Sequence, residues 1–283
     1  MTQSRLIFES PGKLNLMLHI TGRRDDGYHL LQTVFQFIEL YDYLTFEITK
    51  DGLITRSGSQ TPVNEADDII LLAAKLLQSK YQISLGLRYS IEKHIPIGGG
   101  LGGGSSNAAT TLMVLNKLWK LNLELSELAT LGLQLGADVP VFIEGKSAWA
   151  NGIGEELTPV DLPKPWFVVI YPQLFVSTAE IFASEQLTRN CDPITIRAFL
   201  AGQGCNVCEP VACQLYPDIQ KVIDWLSQYS KARMTGTGAC VFASFDSLEQ
   251  AESVKSLAPE YWSAFVVKAM NQNPVIEQCE LMQ

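Results

Sequence analysis

A run of glycines near the middle of the chain is the strongest chemical signal in the sequence, because six of the seven residues 98–104 are glycine. The chain has 21 glycines in 283 residues, so chance would place only about half a glycine in a window of that length. Glycine admits positive φ and lets a ligand approach peptide N–H groups, and a helix that follows adds the positive end of its dipole. The loop is therefore expected to bind an anion, above all phosphate, rather than to serve as a flexible linker.

The loop alone leaves the kind of phosphate ligand open. No G-x-x-x-x-G-K-[ST] string is present, which excludes a Walker-type P-loop. Gly98-x-Gly100-x-x-Gly103 does match the dinucleotide-binding pattern, so an NAD-dependent oxidoreductase is one alternative. Lys93 precedes the run by five residues, and it is either a positive charge for phosphates or a solvated lysine at a strand end.

The elements around the glycine run follow from hydrophobic periodicity. Before the run, the pattern predicts strands at 6–8, 14–20 and 85–91, an extended stretch at 34–48 broken at Tyr41-Asp42, and a helix over 67–80. After the run, Ser105-Ser106-Asn107 is expected to cap a helix that reaches Leu118, and a helix at 123–135 and a strand at 139–143 follow.

A domain boundary is expected at 159–165, where three prolines fall within seven residues. Beyond it, the pattern predicts strands at 166–171, 239–245 and 264–269 and helices near 178–187 and 210–229. This alternation indicates a smaller α+β domain. The expected domains are therefore residues 1–160 and 161–283.

Composition limits the partners. With 47% hydrophobic and 18% charged residues the chain is typical of globular proteins, and its net charge of -9 argues against a nucleic-acid-binding surface. No apolar stretch approaches the roughly 20 residues of a membrane span and the N-terminus lacks a secretory pattern, so we expect a cytoplasmic protein with no membrane partner. The six cysteines all follow residue 190, unlike a disulfide framework, and are expected to be reduced.

Three motifs in order resemble those of the GHMP kinases. Pro11-Gly12-Lys13-Leu14-Asn15-Leu16 resembles the first, the string from Pro96 to Ala109 the second, and the string from Met234 to Phe242 the third. The resemblance implies an α+β, two-domain GHMP kinase fold. Its N-terminal ATP-binding domain would be ribosomal protein S5 domain 2-like, and its C-terminal domain ferredoxin-like.

A further stretch narrows the resemblance within the family. Gly22 to His29 and Thr33 to Gln36 are similar to the kinases of the non-mevalonate isoprenoid route. This similarity implies that the chain transfers a phosphoryl group from ATP, with Mg²⁺, to the 2-hydroxyl of a methylerythritol that carries cytidine diphosphate. A mevalonate-type or homoserine-type GHMP kinase is the nearest alternative.

The resemblance assigns the catalytic work to Lys13 and Asp138. Asp138 would stand at a loop-to-strand junction as base or electrostatic anchor, although an Asp before Val-Pro is by itself more often a turn residue. Lys13 would pair with Asp138 and stabilise the developing charge. Asn15 shares the strand face of Lys13, two residues away, and would orient the substrate.

The remaining site residues divide between nucleotide and substrate. The expected nucleotide-binding set is Lys93, Pro96, Gly98, Gly99, Gly100, Leu101, Gly102, Gly103, Gly104, Ser105, Ser106 and Asn107. No carboxylate cluster marks the protein ligands of Mg²⁺, and Ser105 or Ser106 is a candidate to contribute one. The resemblance places Tyr28, His29, Thr178, Phe182, Gly236 and Gly238 at the cytidine-bearing substrate, with an aromatic ring on each side of the base.

Asp68 and the cysteines at 205–213 are two further features of the sequence that bear on ligand binding. Asp68 stands where related sequences generally carry Asn, and a carboxylate cannot donate to adenine as an amide does. Cys205-x-x-Cys208-x4-Cys213 has zinc-like spacing but no suitable fourth ligand, so a metal site there is disfavoured. The expected oligomeric state is a monomer or a homodimer.

Overall fold

A computed structural model describes residues 6–25, 27–58 and 67–282. The strands are β1 Leu6–Arg23, β2 His29–Thr49, β3 Ile54–Arg56, β4 Gly86–Glu92, β5 Ala148–Asn151, β6 Glu156–Pro159, β7 Trp166–Tyr171, β8 Arg233–Met234, β9 Val241–Phe245 and β10 Ser263–Met270. The helices are α1 Ile69–Lys80, α2 Gly103–Leu118, α3 Leu125–Leu133, α4 Val139–Glu144, α5 Thr178–Ala183, α6 Ile196–Leu200, α7 Glu209–Leu215, α8 Pro217–Leu226, α9 Leu248–Ser256 and α10 Pro274–Glu280. The predicted α+β class is confirmed.

One mixed sheet runs through both halves of the chain. Its strand order is β3-β4-β2-β10-β7-β9-β8, and β1 and β5 also pair with β2. The last strand in the sequence, β10, makes the junction: Ala269 and Met270 pair with β2, while the rest of β10 pairs with β7. The two halves therefore share a continuous backbone hydrogen-bond network. Most helices of each half pack around a separate core, but α10 from the second half packs in the core of the first through Val275 and Cys279.

The central helix α2 is buried over most of its length and begins earlier than predicted. Gly102 occupies the cap position in the left-handed conformation and Gly103 is the first helical residue, so Ser105, Ser106 and Asn107 are not caps. Instead, the Ser106 hydroxyl and the Asn107 carboxamide bond the Ser10 hydroxyl on β1. The glycine run itself thus makes the turn into the helix, because left-handed φ costs glycine little.

The stretch predicted as a strand at 139–143 is instead helix α4. Every residue from Val139 to Ile143 is buried, so the sequence there shows no periodicity that separates helix from strand. Pro140 lies in the first turn of the helix, where a missing N–H costs nothing. As a result Asp138 stands at the N-terminus of a helix, and the expected loop-to-strand junction is wrong.

Three smaller expectations also differ from the structure. Strand β2 continues through Tyr41-Asp42 to Thr49, with a register shift opposite it at Pro11/Gly12. The helix predicted over 210–229 is two helices, because Pro217 begins a new one. Helix α5 ends at Ala183, four residues before the predicted end.

Candidate active site

Lys13 and Asp138 form the centre of the site. Lys13 lies on β1 with 3% of its side chain exposed, and its Nζ is 3.0 Å from Oδ2 of Asp138, whose side chain is 33% exposed. The same ammonium donates to Asn15 Oδ1 and to the carbonyl of Gly100. Lys13 is therefore a buried cation with three partners, and it holds the Asp138 carboxylate at the wall of a cavity.

Two threonines that carry no role in the sequence analysis fix Asn15 beside this pair. The Asn15 carboxamide donates to Thr33 Oγ1 at 2.9 Å, and the hydroxyl of Thr33 donates to the carbonyl of Met17. The Asn15 N–H donates to Thr235 Oγ1, also at 2.9 Å, which brings in the third glycine-containing motif. Asn15 consequently presents its carboxamide oxygen to Lys13, as the shared strand face predicts.

The glycine loop encloses a cavity of about 390 Å³ at the start of α2. Gly98, Gly100 and Gly102 all have φ near +70° to +77°, a region that other residues avoid. A Cβ on Gly100 would lie 2.4 Å from the carbonyl of Thr235, so the loop packs directly on the 235–238 turn. The first N–H groups of α2 lack acceptors within the helix and, with its dipole, favour an anion there.

This first cavity has the lining expected for a nucleotide. Its walls combine the glycine loop with apolar side chains, one lysine, two aspartates and two small polar residues. Besides Gly98–Gly104 they are Asp67, Asp68, Ile69, Ile70, Ile91, Lys93, Pro96, Ile97, Ser105 and Asn107. Of the predicted nucleotide-binding residues, Ser106 alone does not line the cavity, since its hydroxyl turns to Ser10. Ser105 lines both this cavity and the next one.

Lys93 is held in place by a buried carboxylate that sequence reasoning missed. Asp42, fully buried on β2, pairs through Oδ2 with Lys93 Nζ, and its Oδ1 accepts the N–H groups of His94 and Ile95 at 2.9 Å. The lysine is thus not a solvated strand-end residue. The available signal was the position of Asp42 between aromatic residues of a strand. A carboxylate buried there needs a charged partner, and Lys93 is that partner.

Asp68 is fully occupied as a structural group. It caps α1 by accepting the N–H groups of Ile70 and Leu71, and its second oxygen accepts from the Tyr89 hydroxyl at 2.7 Å and from Arg56 at 3.1 Å. Four donors use the four lone-pair sites of a carboxylate. These four contacts explain why Asp occupies position 68, and they assign it no contact with adenine.

A second cavity, also about 390 Å³, contains the Lys13–Asp138 pair. It shares Gly100, Gly102 and Ser105 with the first cavity. From the second half of the chain it receives Thr178, Phe182, Gly236 and Thr237, and the hydroxyls of Thr178 and Thr237 are 2.9 Å apart. Gly238 does not reach it, because a Cβ there would point at buried Met234, Ile219 and Val176.

A third cavity of about 550 Å³ joins the second through Leu31, Ala137, Ile153 and Phe182. It contains the predicted base-binding residues Tyr28 and His29. The rings of His29 and Phe182 are stacked, with centroids 5.0 Å apart and planes at 21°. Partial burial, then the charges of Arg189 and Arg23, lower the pKa of His29, so its imidazole is neutral near pH 7.

The cysteine segment has a structural role. Asn206 donates from Nδ2 to the carbonyls of Met234 and Gly236, and Glu209 accepts the Met234 N–H, so the segment supports the 235–238 turn. Within the described residues no three acidic, His or Cys side chains are grouped to hold a metal ion, and the cysteines are free thiols. Burial raises the pKa of Cys208 to about 12, which makes it unreactive.

The three connected cavities suit transfer between two phosphate-bearing ligands. The central one holds a carboxylate able to accept a proton and a cation able to stabilise charge, while the first offers backbone donors for phosphates. The dinucleotide alternative is not supported, because a βαβ unit needs the strand after the helix in the same parallel sheet as the strand before it, whereas β5, the strand that follows α2, pairs antiparallel with β2 and β6. No helix in the described ranges meets the length and apolarity needed to span a membrane.

Comparisons with known proteins agree with this geometry. The profile "GHMP kinases N terminal domain" matches residues 68–146, and "GHMP kinases C terminal" matches residues 186–264. A Nitrosococcus oceani protein named 4-diphosphocytidyl-2-C-methyl-D-erythritol kinase is 51% identical over 97% of this chain and 98% of its own length. A Nitrosomonas europaea protein of the same name is 50% identical over 95% and 98%.

Solved structures give the same picture of the fold. A crystal structure of 4-(cytidine 5'-diphospho)-2C-methyl-D-erythritol kinase superposes with a TM-score of 0.81 at 30% identity, over 93% of this chain and 99% of that one. Methanococcus jannaschii mevalonate kinase superposes with a TM-score of 0.70 at 18% identity, over 96% and 100%, and so shows the fold alone.

Proposed function

The chain belongs to the GHMP kinases, and from this membership we propose that it phosphorylates the 2-hydroxyl of 4-diphosphocytidyl-2-C-methyl-D-erythritol with ATP. Relatives about half identical over nearly their whole length carry this acceptor in their names. The products are the 2-phosphate and ADP, a step in the methylerythritol phosphate route to isoprenoid precursors. The chain is thus an ATP-dependent small-molecule kinase.

The observation that carries the proposal is the position of the Lys13–Asp138 pair between two cavities of different character. On one side lies the glycine loop with the N-terminus of α2, and on the other lies the aromatic cavity of Tyr28 and Phe182. A kinase needs its two phosphate-bearing substrates to meet in line at the catalytic group. The connected cavities provide that arrangement within one chain.

ATP occupies the first cavity in this proposal. Its base lies against the apolar wall of Ile69, Ile91 and Ile97, and its phosphates lie along the glycine loop toward Ser105. The backbone N–H groups and the helix dipole bind the phosphates, and Lys93, held in place by Asp42, supplies a positive charge in the cavity wall. The γ-phosphoryl group then points into the central cavity, where Gly100 and Gly102 line both spaces.

The acceptor occupies the second and third cavities. Its cytosine lies in the aromatic cavity with Tyr28, His29 and Phe182, and its diphosphate faces the turn that contains Gly236 and Thr237. Its methylerythritol end then reaches Asp138. This assignment leaves Gly238 as support for the turn rather than a direct contact.

The chemical step uses the two central residues. The 2-hydroxyl oxygen attacks the γ-phosphorus, the bond to the β–γ bridging oxygen breaks, and ADP leaves with those electrons. Asp138 accepts the hydroxyl proton, and Lys13 stabilises negative charge around the transferring group while it keeps the carboxylate oriented. Asn15, fixed by Thr33 and Thr235, keeps Lys13 in its position.

The site fits a magnesium ion that is bound mostly by substrate. Mg²⁺ commonly keeps several waters and takes few protein ligands when it bridges nucleotide phosphates. Ser105, which lines both the first and the second cavity, is the hydroxyl we assign to it, and Ser106 is turned away. When bound, the ion neutralises phosphate charge during transfer.

The proposal also divides the site between two domains. We propose residues 1–160 as the ATP-binding domain and 161–283 as the C-terminal domain, which contributes Thr178, Phe182 and the 235–238 turn. We propose a monomer or a homodimer as the oligomeric state.

A substrate comparison tests the proposal. The purified chain is incubated with ATP, Mg²⁺ and either 4-diphosphocytidyl-2-C-methyl-D-erythritol, mevalonate or homoserine, and ADP release is followed by a coupled assay. We expect turnover on the first acceptor only, with phosphorus NMR placing the new phosphate on the 2-hydroxyl. Turnover on mevalonate or homoserine instead would retain the kinase family and reject the acceptor.

A further inference from the structure

Arg189 lies beside the base cavity and binds both of its walls. It follows helix α5, in the second half of the chain. Its Nη2 donates to the carbonyls of Phe182 at 2.9 Å and Ser184 at 2.7 Å, its Nη1 to the carbonyl of Leu187 at 3.1 Å, and its Nε to Nε2 of His29 at 3.1 Å. One guanidinium therefore connects the end of α5 to the first residue of β2.

The contact with His29 has a chemical consequence for the imidazole. A guanidinium has donors only and stays protonated, so the nitrogen it faces must accept. Nε2 of His29 is then unprotonated and the ring proton lies on Nδ1. This places His29 in a single neutral tautomer, with Nδ1–H as the donor that remains for a ligand.

The same guanidinium fixes the ring in space. His29 is stacked on Phe182, and Arg189 holds the Phe182 carbonyl and the His29 nitrogen at once. We propose that Arg189 is a positioning residue for base recognition, which joins the His29 and Phe182 walls across the two halves and sets the His29 tautomer. The inference rests on the proposed function, because it gives the base cavity a pyrimidine nucleotide as its ligand.

The electrostatic surroundings of the ring follow from the elements around it. Among the described residues, Arg23 from the end of β1 and Arg189 from the segment after α5 are the charges that act on His29, and Tyr28 is its titratable neighbour. Glu180 on α5 is bonded to the Tyr216 hydroxyl. Since both charges disfavour imidazolium, loss of Arg189 shifts the pKa of His29 upward and lets the ring protonate closer to neutral pH.

The test compares Arg189→Met and Arg189→Lys with the unchanged protein. We expect Arg189→Met to raise KM for the cytidine substrate roughly tenfold or more, the range for a lost charge-assisted hydrogen bond, with kcat and KM for ATP little changed. Arg189→Lys keeps the positive charge but loses the planar fork of N–H donors. Its KM for the cytidine substrate should therefore lie between that of the unchanged protein and that of Arg189→Met. The rise in KM from pH 8 to pH 6 should be steeper in Arg189→Met than in the unchanged protein.

Nitrogen-15 NMR of the histidine rings gives a second readout that needs no turnover. We expect the Nδ1–H tautomer at His29 in the unchanged protein and its loss in Arg189→Met. Arg197→Met, at an exposed helix position in the same half, is the matched control and should leave both readouts unchanged.

Two results would overturn the assignment: a protonated Nε2 at His29 in the unchanged protein, or an Arg189→Met variant whose substrate KM and pH dependence are unaltered. A chain that does not phosphorylate the cytidine substrate would instead reject the proposed function, and the NMR result would still decide the role of Arg189.

Discussion

The catalytic centre and the base cavity are built in opposite ways. At the centre, Lys13, Asn15 and Thr33 are all buried and each side chain has short contacts within the protein. At the base cavity, Tyr28 is 60% exposed, Phe182 is only partly buried, and the walls come from two separate halves of the chain. The first region is preorganised, whereas the second is open to solvent.

The difference matches what each region has to do. Phosphoryl transfer depends on charges whose positions do not change during the reaction, because reorganisation at that moment would raise the barrier. Recognition of a base instead needs an opening through which a large ligand can enter, and a stacking surface tolerates that exposure. We expect substitutions at the centre to lower kcat and substitutions at the base cavity to raise KM.

Replacement of Asp138 by Asn should give the largest effect. The variant keeps the shape of the side chain but removes the proton acceptor and the partner of buried Lys13. We expect kcat to fall about 10²- to 10⁴-fold, the range for loss of a general base, while KM for the cytidine substrate changes little. Steady-state kinetics with ATP in excess measures both quantities.

The matched control for this substitution is another Asp–Lys pair. Asp218→Asn disrupts the exposed pair with Lys221 on α8, and an ion pair so exposed to solvent contributes little to stability. Its kcat should equal that of the unchanged protein. If Asp138→Asn retains most of its kcat, Asp138 is not the general base. The proposal that the catalytic centre determines kcat and the base cavity determines KM is then rejected.

A second prediction concerns the contact between the glycine loop and the 235–238 turn. Gly100→Ala would combine a φ of +77° with a Cβ only 2.4 Å from the Thr235 carbonyl, so the loop must move. We expect kcat/KM for ATP to fall about 100-fold, since displacement by about 1 Å is enough for such a loss. Thermal unfolding should show destabilisation as well.

Gly202→Ala separates backbone strain from the clash. Gly202 also has a positive φ, of +91°, but a Cβ there meets nothing within 4 Å. We expect this variant to lose about 1–2 kcal/mol of stability and no activity. Equal kinetic losses in both variants would show that the loop does not need the turn for its position.

Local chemistry explains which parts of the site could be predicted from the sequence. The glycine run, Lys13 with Asn15 on one strand face, and the strand at Trp166–Tyr171 are all visible within a few residues. Helix α4 could not be predicted in this way, because every residue of its apolar run is buried and the run has no hydrophobic periodicity. The beginning of α2 was missed for a related reason: three consecutive cap-forming residues pointed to a later start than the glycine turn gives.

Residues that act through distant contacts were harder to find. Arg189 lies 160 positions from His29 in the chain, and Asp42 lies 51 from Lys93. Nothing in the sequence around Arg189 marks it, since its four acceptors are three carbonyls and one imidazole that only the fold brings together. Such positioning residues depend on tertiary structure rather than on motif spacing.

The smallest expected effect belongs to the base cavity. Phe182→Leu keeps an apolar side chain but removes the ring that stacks on His29, and stacking of a base on an aromatic ring is worth about 1–3 kcal/mol. We expect KM for the cytidine substrate to rise roughly five- to tenfold, at the lower end of that range because leucine still covers the base, with kcat nearly unchanged. Tyr261→Leu, at an exposed aromatic residue that lines none of the three cavities, should leave KM unaltered. A fall in kcat as deep as that of Asp138→Asn would mean that the base cavity also sets the catalytic geometry, and that the two regions are not separable.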